Sequence, residues 1–346
     1  MATAYEHIQR NKRRSMILIL LVPVSFVIFV YVAVMLFFLL WSGIDYLKPT
    51  SYLTFGSTLQ LFHAKAMNVC SLLLPVGFLT GAFWAAIAIK EGDNILLNRI
   101  GGARLLYYFE AEDAHQLLEN LCIATGMPKP QLYVLEDTSL NAFAVGASPE
   151  ASAIVLSSGL LEKLDRAQLE AVLAQQLAHI RMYDVRMMSM LIMCLAFFTF
   201  AGEYFFYGTE RANIDSWEDV ARSPMVRVPV LMYVGAVLIG YGYLLAPLIR
   251  FALSRNYQFL ADAQAALMTR YPKGLARALW YISEDSRLEA LDCTELLGVL
   301  CVENPHKHVT FFSRLSGLFK SHPPVEERIR ALNDMDGLFL HLPPKK

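Results

Sequence analysis

Long apolar runs, separated by polar segments, dominate the pattern of this chain. The runs cover residues 16–41, 69–89, 187–207 and 228–249. Because a helix needs about 20 apolar residues to cross the hydrocarbon core of a membrane, each run is long enough to span it. We predict transmembrane helices at 16–41 and 69–89, joined by a polar loop at 42–68. The segment 187–250 predicts two further crossings or a helical hairpin buried against the rest of the protein.

The first run is interpreted as an anchor. A cleaved signal peptide would have a shorter apolar region followed by a small-residue cleavage site. Positive charges flank the first two runs, with Lys12, Arg13 and Arg14 before them and Lys90 after them. By the positive-inside rule, both flanks are predicted to face the cytoplasm.

Between the second and third runs, the pattern predicts a small domain that mixes helix and sheet. An amphipathic helix is predicted at 105–126, where Gly126 supplies an end signal. Alternating β-prone stretches predict three strands, at 131–135, 141–145 and 153–157. A further helix begins near Arg166, has apolar residues at helical spacing, and is predicted to run directly into the third apolar run.

The composition agrees with a membrane protein and narrows the function classes. Apolar residues make up 55% of the chain and charged residues 18%, which is too apolar for an ordinary soluble protein. The formal net charge of −1 gives no electrostatic argument for nucleic-acid binding. The five cysteines show no CxxC spacing and are predicted to be reduced thiols.

The predicted helix near Arg166 carries the most informative motif, Gln175-Gln176-Leu-Ala-His179. Gln175 and His179 are four residues apart, so their side chains leave the same face of the helix. In zinc peptidases that face carries His-Glu-x-x-His, two zinc ligands and a glutamate general base. A lone histidine on a helix is more often a satisfied core residue than a ligand, so the motif alone decides nothing.

The flanking sequence gives the motif more weight. Residues 169–174 (Leu-Glu-Ala-Val-Leu-Ala) and 183–186 (Tyr-Asp-Val-Arg) closely resemble the active-site helix of the HtpX-type membrane zinc peptidases. That family is bacterial and is related to the type I CAAX prenyl endopeptidases. The resemblance implies a mainly α-helical protein of the bacterial inner membrane, with four transmembrane helices and a cytoplasmic α+β gluzincin-like domain. The division that follows is 1–104 (membrane region), 105–186 and 251–346 (peptidase-like parts), and 187–250 (transmembrane or buried hairpin).

The resemblance also implies roles for individual residues. Gln175, His179 and Gln258 stand at the positions of the three zinc ligands, and Gln176 at the position of the general base. Asp262, one helical turn after Gln258, matches an aspartate that orients a histidine ligand. His322 begins a His-Pro-Pro…Glu-Arg-Ile segment that packs near the active site in the family.

In the same family, the edge strand of the small sheet pairs with an extended peptide substrate. Four residues of this chain match that strand, namely Asn141, Ala142, Phe143 and Ala144. An open edge offers unpaired N–H and C=O groups to an extended chain. The alternative is an edge that is capped and does not bind.

The glutamines change the chemistry that the resemblance implies. A carboxamide is neutral and is a poor zinc donor beside imidazole. Gln176 has no titratable group with which to take a proton from water. We therefore expect no cofactor, and zinc only if an atypical ligand set suffices. Glutamine is close to glutamate in shape, so natural loss of activity and deliberate inactivation would give the same pattern.

Three functional hypotheses remain at this point. The first is a catalytically inactive peptidase homologue that binds peptide or membrane-protein clients, or regulates an active protease partner, in the lipid bilayer. The second is an active zinc metalloendopeptidase with an unusual ligand set. The third is a membrane scaffold protein, and the scarcity of charged residues in the apolar runs argues against transport.

Overall fold

The computed structural model describes residues 4–46, 55–99, 103–207, 233, 236–238, 240–241, 256–284 and 323–339. The chain divides into two compact units. The first, here called the peptidase unit, contains Met1–Ser15, Ile89–Met193 and Ala246–Lys346. The second, the membrane unit, contains Met16–Ala88 and Cys194–Leu245. The boundaries predicted at 104, 186 and 250 stay predictions.

The described part of the chain is mainly helical and contains one small sheet. The helices are α1 (Ala4–Tyr46), α2 (Phe55–Arg99), α3 (Glu112–Thr125), α4 (Ser158–Lys163), α5 (Arg166–Arg181), α6 (Asp184–Tyr207), α7 (Asn256–Thr269), α8 (Pro272–Glu284) and α9 (Val325–Phe339). The strands are β1 (Ala103–Leu105), β2 (Gln131–Leu135), β3 (Ala142–Gly146) and β4 (Ser152–Ser157).

Two of the described helices are long and apolar enough to cross a membrane. The candidate spans are Ile19–Phe38 in α1, with a mean hydropathy of 2.8, and His63–Gly92 in α2, with a mean hydropathy of 2.1. These helices confirm the predicted long apolar helices over the runs at 16–41 and 69–89. The third and fourth crossings stay predictions, and most of the run at 228–249 lies outside the described residues.

Close approach of α1 and α2 organises the membrane unit. A Cβ atom on Gly81 would lie 2.7 Å from the Cα of Pro23, and one on Gly77 would lie 2.8 Å from a methyl of Val30. These two glycines therefore allow a backbone contact that larger residues would prevent. Aromatic rings fill the neighbouring space, with Phe26 and Phe197 at a centroid distance of 4.4 Å.

The sheet of the peptidase unit has the strand order β1-β2-β4-β3. β1 pairs with β2 in antiparallel fashion, β2 with β4 in parallel, and β4 with β3 in antiparallel fashion. β2 matches its predicted bounds, β3 is shifted by one residue, and β4 begins one residue earlier than predicted and ends at the predicted residue. β1 was not predicted, because three residues that include an exposed Arg104 give little strand signal.

Helix α5 lies at the centre of the peptidase unit and is buried along nearly its whole length. It begins where Asp165 forms a capping box: the Gln168 N–H donates to Asp165 Oδ1 at 2.8 Å, and the Asp165 N–H donates to Gln168 Oε1 at 3.1 Å. Its apolar residues join a core that also receives side chains from α3, the sheet, α7, α8 and α9. A helix so placed holds its polar residues away from water.

Three predicted boundaries are wrong. Residues 55–68 belong to α2 and not to a loop, because they lack proline and contain many good helix formers. The helix predicted at 105–126 begins only at Glu112, since the preceding residues form the end of β1 and a turn from Tyr107 to Glu110. Helix α5 does not run directly into α6, because Tyr183 has a φ of 61° and interrupts the helix between them.

Gly159, at the start of α4, gives a test of this packing. A Cβ atom there would overlap the backbone carbonyl of Thr138 and lie 2.9 Å from the carbonyl oxygen of Ser139. Because backbone cannot move aside cheaply, we expect Gly159→Ala to lower the free energy of unfolding by about 3 kcal/mol. Thermal unfolding in detergent measures the change, and Glu162→Ala, an exposed position on the same helix, is the control. Equal melting temperatures for the two variants would contradict this packing.

Candidate functional site

The residues predicted for the site come together between α5 and α7. Gln175, Gln176 and His179 lie on α5, and Gln258 and Asp262 lie on α7. All five are buried, with His179 the most exposed at 8%. The spacing of four residues on each helix turns these polar side chains inward, which is why they meet despite a separation of more than 80 residues in sequence.

The carboxylate of Asp262 is the best-bonded group in the site. Arg328, on α9, donates to it twice, from Nε to Oδ2 at 2.7 Å and from Nη2 to Oδ1 at 2.8 Å. Gln175 Nε2 donates to Oδ1 at 2.7 Å. Arg328 is only 1% exposed and Asp262 only 3%, so this is a buried, two-point ion pair. It ties α5, α7 and α9 together.

His179 has a different partner, which the sequence did not indicate. Its Nδ1 lies 3.2 Å from Oδ2 of Asp184, the first residue of α6, and Asp184 is fully buried. Because an ionised carboxylate can only accept, His179 Nδ1 is the donor in this pair, and Nε2 is the ring nitrogen that Asp184 does not contact. Asn11 of α1 donates to the other oxygen of Asp184 at 2.7 Å and to the carbonyl of Met182 at 2.9 Å.

Two amide oxygens in the site lack a partner. Oε1 of Gln175 and Oε1 of Gln258 are buried and receive no hydrogen bond from any described residue. The orientation of Gln175 is fixed chemically, since only its NH₂ group can donate to Asp262. Its oxygen must therefore point away from the carboxylate. The site thus presents acceptors without matching donors.

Several residues that build this site were absent from the sequence prediction. Arg328 was noted only as part of a segment near the site, while Asp184 and Asn11 were not assigned to the site at all. Asp184 lies in the segment 183–186 that carries the resemblance and next to an apolar run, but neither signal points to His179 as its partner. Nothing local marks Asn11, because its partner Asp184 is 173 residues away. His322 lies outside the described residues.

The edge strand β3 lies beside α5 and pairs with β4 on one side only. The carbonyl of Asn141 accepts from the Ser157 N–H at 3.1 Å, and the Ala147 N–H donates to Ala151 at 3.2 Å. In an antiparallel pair, alternate residues face the partner strand, so the odd-numbered residues of β3 face β4. The even-numbered residues point their backbone N–H and C=O groups away from β4.

At two of the three outward positions on β3, the backbone N–H group is hydrogen-bonded to a side chain of the protein itself. The Ala142 N–H donates to Oδ1 of Asn141 at 3.0 Å, and the Gly146 N–H donates to the hydroxyl of Ser189 at 3.3 Å. Among the described residues, nothing donates to or accepts from the outward backbone groups of Ala144. The edge is therefore bonded from within at both ends, and the residue at its centre, Ala144, is buried with 2% exposure.

Comparison with known proteins places this arrangement in a family. Residues 109–336, more than half of the chain, match the sequence profile of peptidase family M48. The chain belongs to peptidase family M48. The match begins just before α3 and extends through the described site into α9, so the predicted resemblance is confirmed for the helices that carry the site.

Relatives of this M48 chain include proteins named Protease HtpX homolog. The one from Bacteroides fragilis is 34% identical over 324 residues, which cover 93% of this chain and 96% of the relative. The one from Dictyoglomus thermophilum is 32% identical over 337 residues, which cover 96% and 95%. A crystal structure of S. mikatae Ste24p aligns with 80% of this M48 chain and 64% of its own chain, at 18% identity and a TM-score of 0.42.

M48 peptidases generally depend on zinc, but the residues of this M48 chain do not fit that ion. A catalytic zinc needs three strong ligands, and only His179 Nε2 is one. Asp262 is already paired with Arg328, and the two free oxygens belong to neutral amides. A doubly charged ion would therefore stand buried without anionic ligands, which is strongly unfavourable. Within the described residues, no three His, Cys, Asp or Glu side chains form a group that could hold a metal.

The Asp262–Arg328 pair predicts a large loss of stability when one partner is removed. Arg328→Leu would leave a buried carboxylate without its cation, and we expect the free energy of unfolding to fall by about 3–5 kcal/mol. Thermal unfolding of the purified protein measures the loss. Arg330→Leu is the matched control, since Arg330 is exposed on the same helix and should change the melting temperature little. An equally small effect of both substitutions would refute a structural role for the pair.

Proposed function

We propose that this M48 chain is a catalytically inactive peptidase homologue, anchored in a membrane, that binds extended peptide segments without cutting them. The observation that carries the proposal is the state of the site: two ligand positions and the base position hold buried glutamines. Gln176 cannot take a proton from a water molecule, because an amide has no accessible pKa in that range. The chain lacks the means for hydrolysis by the family's mechanism.

The remaining parts of the scaffold support a binding role. The polar site residues are held by the ion pair of Asp262 and Arg328, which needs no metal. Ala144 of β3 is 2% exposed, so one residue of an extended chain could form two backbone hydrogen bonds with it only after the cover over this edge moves aside. A fold that keeps the helices and the edge strand of the family while losing the groups for hydrolysis suits a protein that holds peptide or membrane-protein clients. Regulation of an active protease partner is a second use of the same property.

The location of the protein is part of the proposal. The two relatives named above come from bacteria, and the chain has two candidate membrane spans. Lysine and arginine flank both spans on the side of the peptidase unit. We therefore place the protein in the bacterial inner membrane with this unit in the cytoplasm. Four crossings, with segment 187–250 supplying the last two, complete the proposed topology.

Zinc content separates this proposal from the active-enzyme alternative, in which His179 and the two amide oxygens would have to hold the ion. The purified chain is expected to carry far less than one zinc per molecule in elemental analysis. The triple variant Gln175→His, Gln176→Glu, Gln258→Glu restores three strong ligands and a base, and is expected to approach one zinc per molecule. Its casein cleavage should be sensitive to a chelator.

Gln176→Glu alone is the control for this experiment, because it restores the base without the ligands and should leave the zinc content low. One tightly held zinc in the unchanged protein, together with chelator-sensitive cleavage of casein, would refute the inactive assignment. The active-enzyme hypothesis would then take its place.

Binding at the β3 edge is tested by removing one N–H group. Ala144→Pro deletes the outward N–H of Ala144 while sparing the bonds to β4, since proline is tolerated where an edge strand faces outward. We expect fluorescently labelled β-casein to bind about tenfold more weakly, which corresponds to about 1.4 kcal/mol. Fluorescence anisotropy measures the affinity.

Ala142→Pro is the matched control, because the N–H that it removes is already bonded to Asn141 and is not available to a peptide. Melting temperatures show whether both variants remain folded. If both variants bind casein as the parent does, the client is not held at this edge.

A further inference from the structure

Three consecutive aromatic residues are exposed on the peptidase unit. Tyr107, Tyr108 and Phe109 follow β1 after the buried Leu106 and precede α3. The exposed fractions are 53% for Tyr107, 48% for Tyr108 and 82% for Phe109. Single exposed aromatic residues are ordinary, but three in sequence form a local apolar surface. We call residues Tyr107 to Glu110 the aromatic turn.

The aromatic turn is held in one shape by polar bonds. The Glu110 N–H donates to the Tyr107 carbonyl at 3.1 Å, and the Tyr107 N–H donates to a carboxylate oxygen of Glu110 at 2.9 Å. Arg104 donates to both oxygens of Glu110, at 2.8 and 2.9 Å, and to Glu136. The N–H of Tyr107 and then the Arg104 guanidinium lower the pKa of Glu110, so its carboxylate stays charged at neutral pH.

This bonding presents the rings outward rather than packing them. The rings of Tyr107 and Phe109 stack with a centroid distance of 5.7 Å and an interplanar angle of 10°. The Tyr108 hydroxyl bonds to Glu112 and Gln116 on α3, which fixes the middle of the turn. Polar bonds hold the turn in place, and its rings stay outside the core. The surface is therefore already ordered before a partner binds.

The chemistry of the turn fits the headgroup region of a bilayer. Tyrosine combines an apolar ring with a polar hydroxyl and concentrates at the boundary between lipid and water, and phenylalanine adds a wholly apolar ring. Arg104 pairs with Glu110 and Glu136, so this cation beside the turn is not free to attract an acidic protein or anionic lipid. Attraction would come from the rings.

The chain between α2 and the turn is short. The candidate span in α2 ends at Gly92, and the last turns of the same helix belong to the peptidase unit. From Gly92 to Arg99 the helix adds about 10 Å. The eight further residues to Tyr107 reach at most about 28 Å when fully extended. The turn is therefore at most about 38 Å along the chain from the end of the span, which is short enough to allow a contact with the bilayer surface.

We propose that the aromatic turn inserts into the headgroup region of the bilayer that holds α1 and α2, and so docks the peptidase unit on the membrane surface. The inference depends on the candidate spans and not on whether the site cleaves peptides. It gives the unit a second membrane contact, made by Phe109 and Tyr107, in addition to the helix from which it extends.

Photo-cross-linking of the full chain in nanodiscs of dioleoylphosphatidylcholine tests the proposal. Phe109→p-benzoylphenylalanine places the probe at the most exposed ring of the turn. Ile123→p-benzoylphenylalanine is the matched control, because Ile123 is 74% exposed on the same unit but lies on the far end of α3. We expect lipid adducts, counted by mass spectrometry, to be at least fivefold more abundant at position 109. Leu79→p-benzoylphenylalanine, within the span of α2, reports contact with the acyl chains.

The positions that form lipid adducts distinguish the docking contact from the membrane span. Adducts at positions 79 and 109 but not at 123 support the docking contact. Adducts at 79 alone overturn it while leaving the membrane span intact, and no adducts at 79 overturn the span on which it rests. A cross-link from position 109 to a second copy of the chain, without lipid adducts, would make the turn a protein interface and overturn the proposal. Melting temperatures confirm that the probe variants are folded.

Discussion

The carboxylate of Asp262 receives three hydrogen bonds from side chains that are far apart in sequence, and the arrangement of the site follows from this one buried group. Arg328 neutralises its charge and Gln175 completes its coordination. In a zinc peptidase of this family, the metal would join the helices equivalent to α5 and α7. Here an ion pair joins them, with α9 as a third member. The scaffold can therefore persist without a cation, although one partner cannot be removed without leaving a buried charge.

A second linked set of contacts organises the junction between α5 and α6. Tyr183 adopts a left-handed backbone conformation, which costs a non-glycine residue of the order of 1 kcal/mol or more. Asn11 bonds to the residues on both sides of it, Met182 and Asp184, and the ammonium group of Lys12 lies 4.4 Å from the centre of the Tyr183 ring. The first helix thus stabilises a strained turn, and that turn aims Asp184 at His179.

The sequence predicts what depends on local pattern and resemblance, and it misses what depends on distant partners. The strands β2, β3 and β4 and the buried face of α5 follow from alternation and helical spacing. β1 is too short to give a signal, and the aromatic turn was read as helix because its apolar residues continue the pattern of α3. The bonds of Asn11 to Asp184 and of Arg328 to Asp262 join residues 173 and 66 positions apart, so only the fold reveals them.

Only one outward position of β3, the buried Ala144, has no internal bond among the described residues, and this limits how long a client of the proposed kind could stay. Two backbone hydrogen bonds contribute a net of about 1–3 kcal/mol, whereas a nanomolar complex requires about 12 kcal/mol. An edge that pairs at one residue would also contact the main chain of a client and discriminate little between different side chains. Such a contact favours brief, unselective sampling of unfolded segments, and long residence would have to come from other surfaces of the protein.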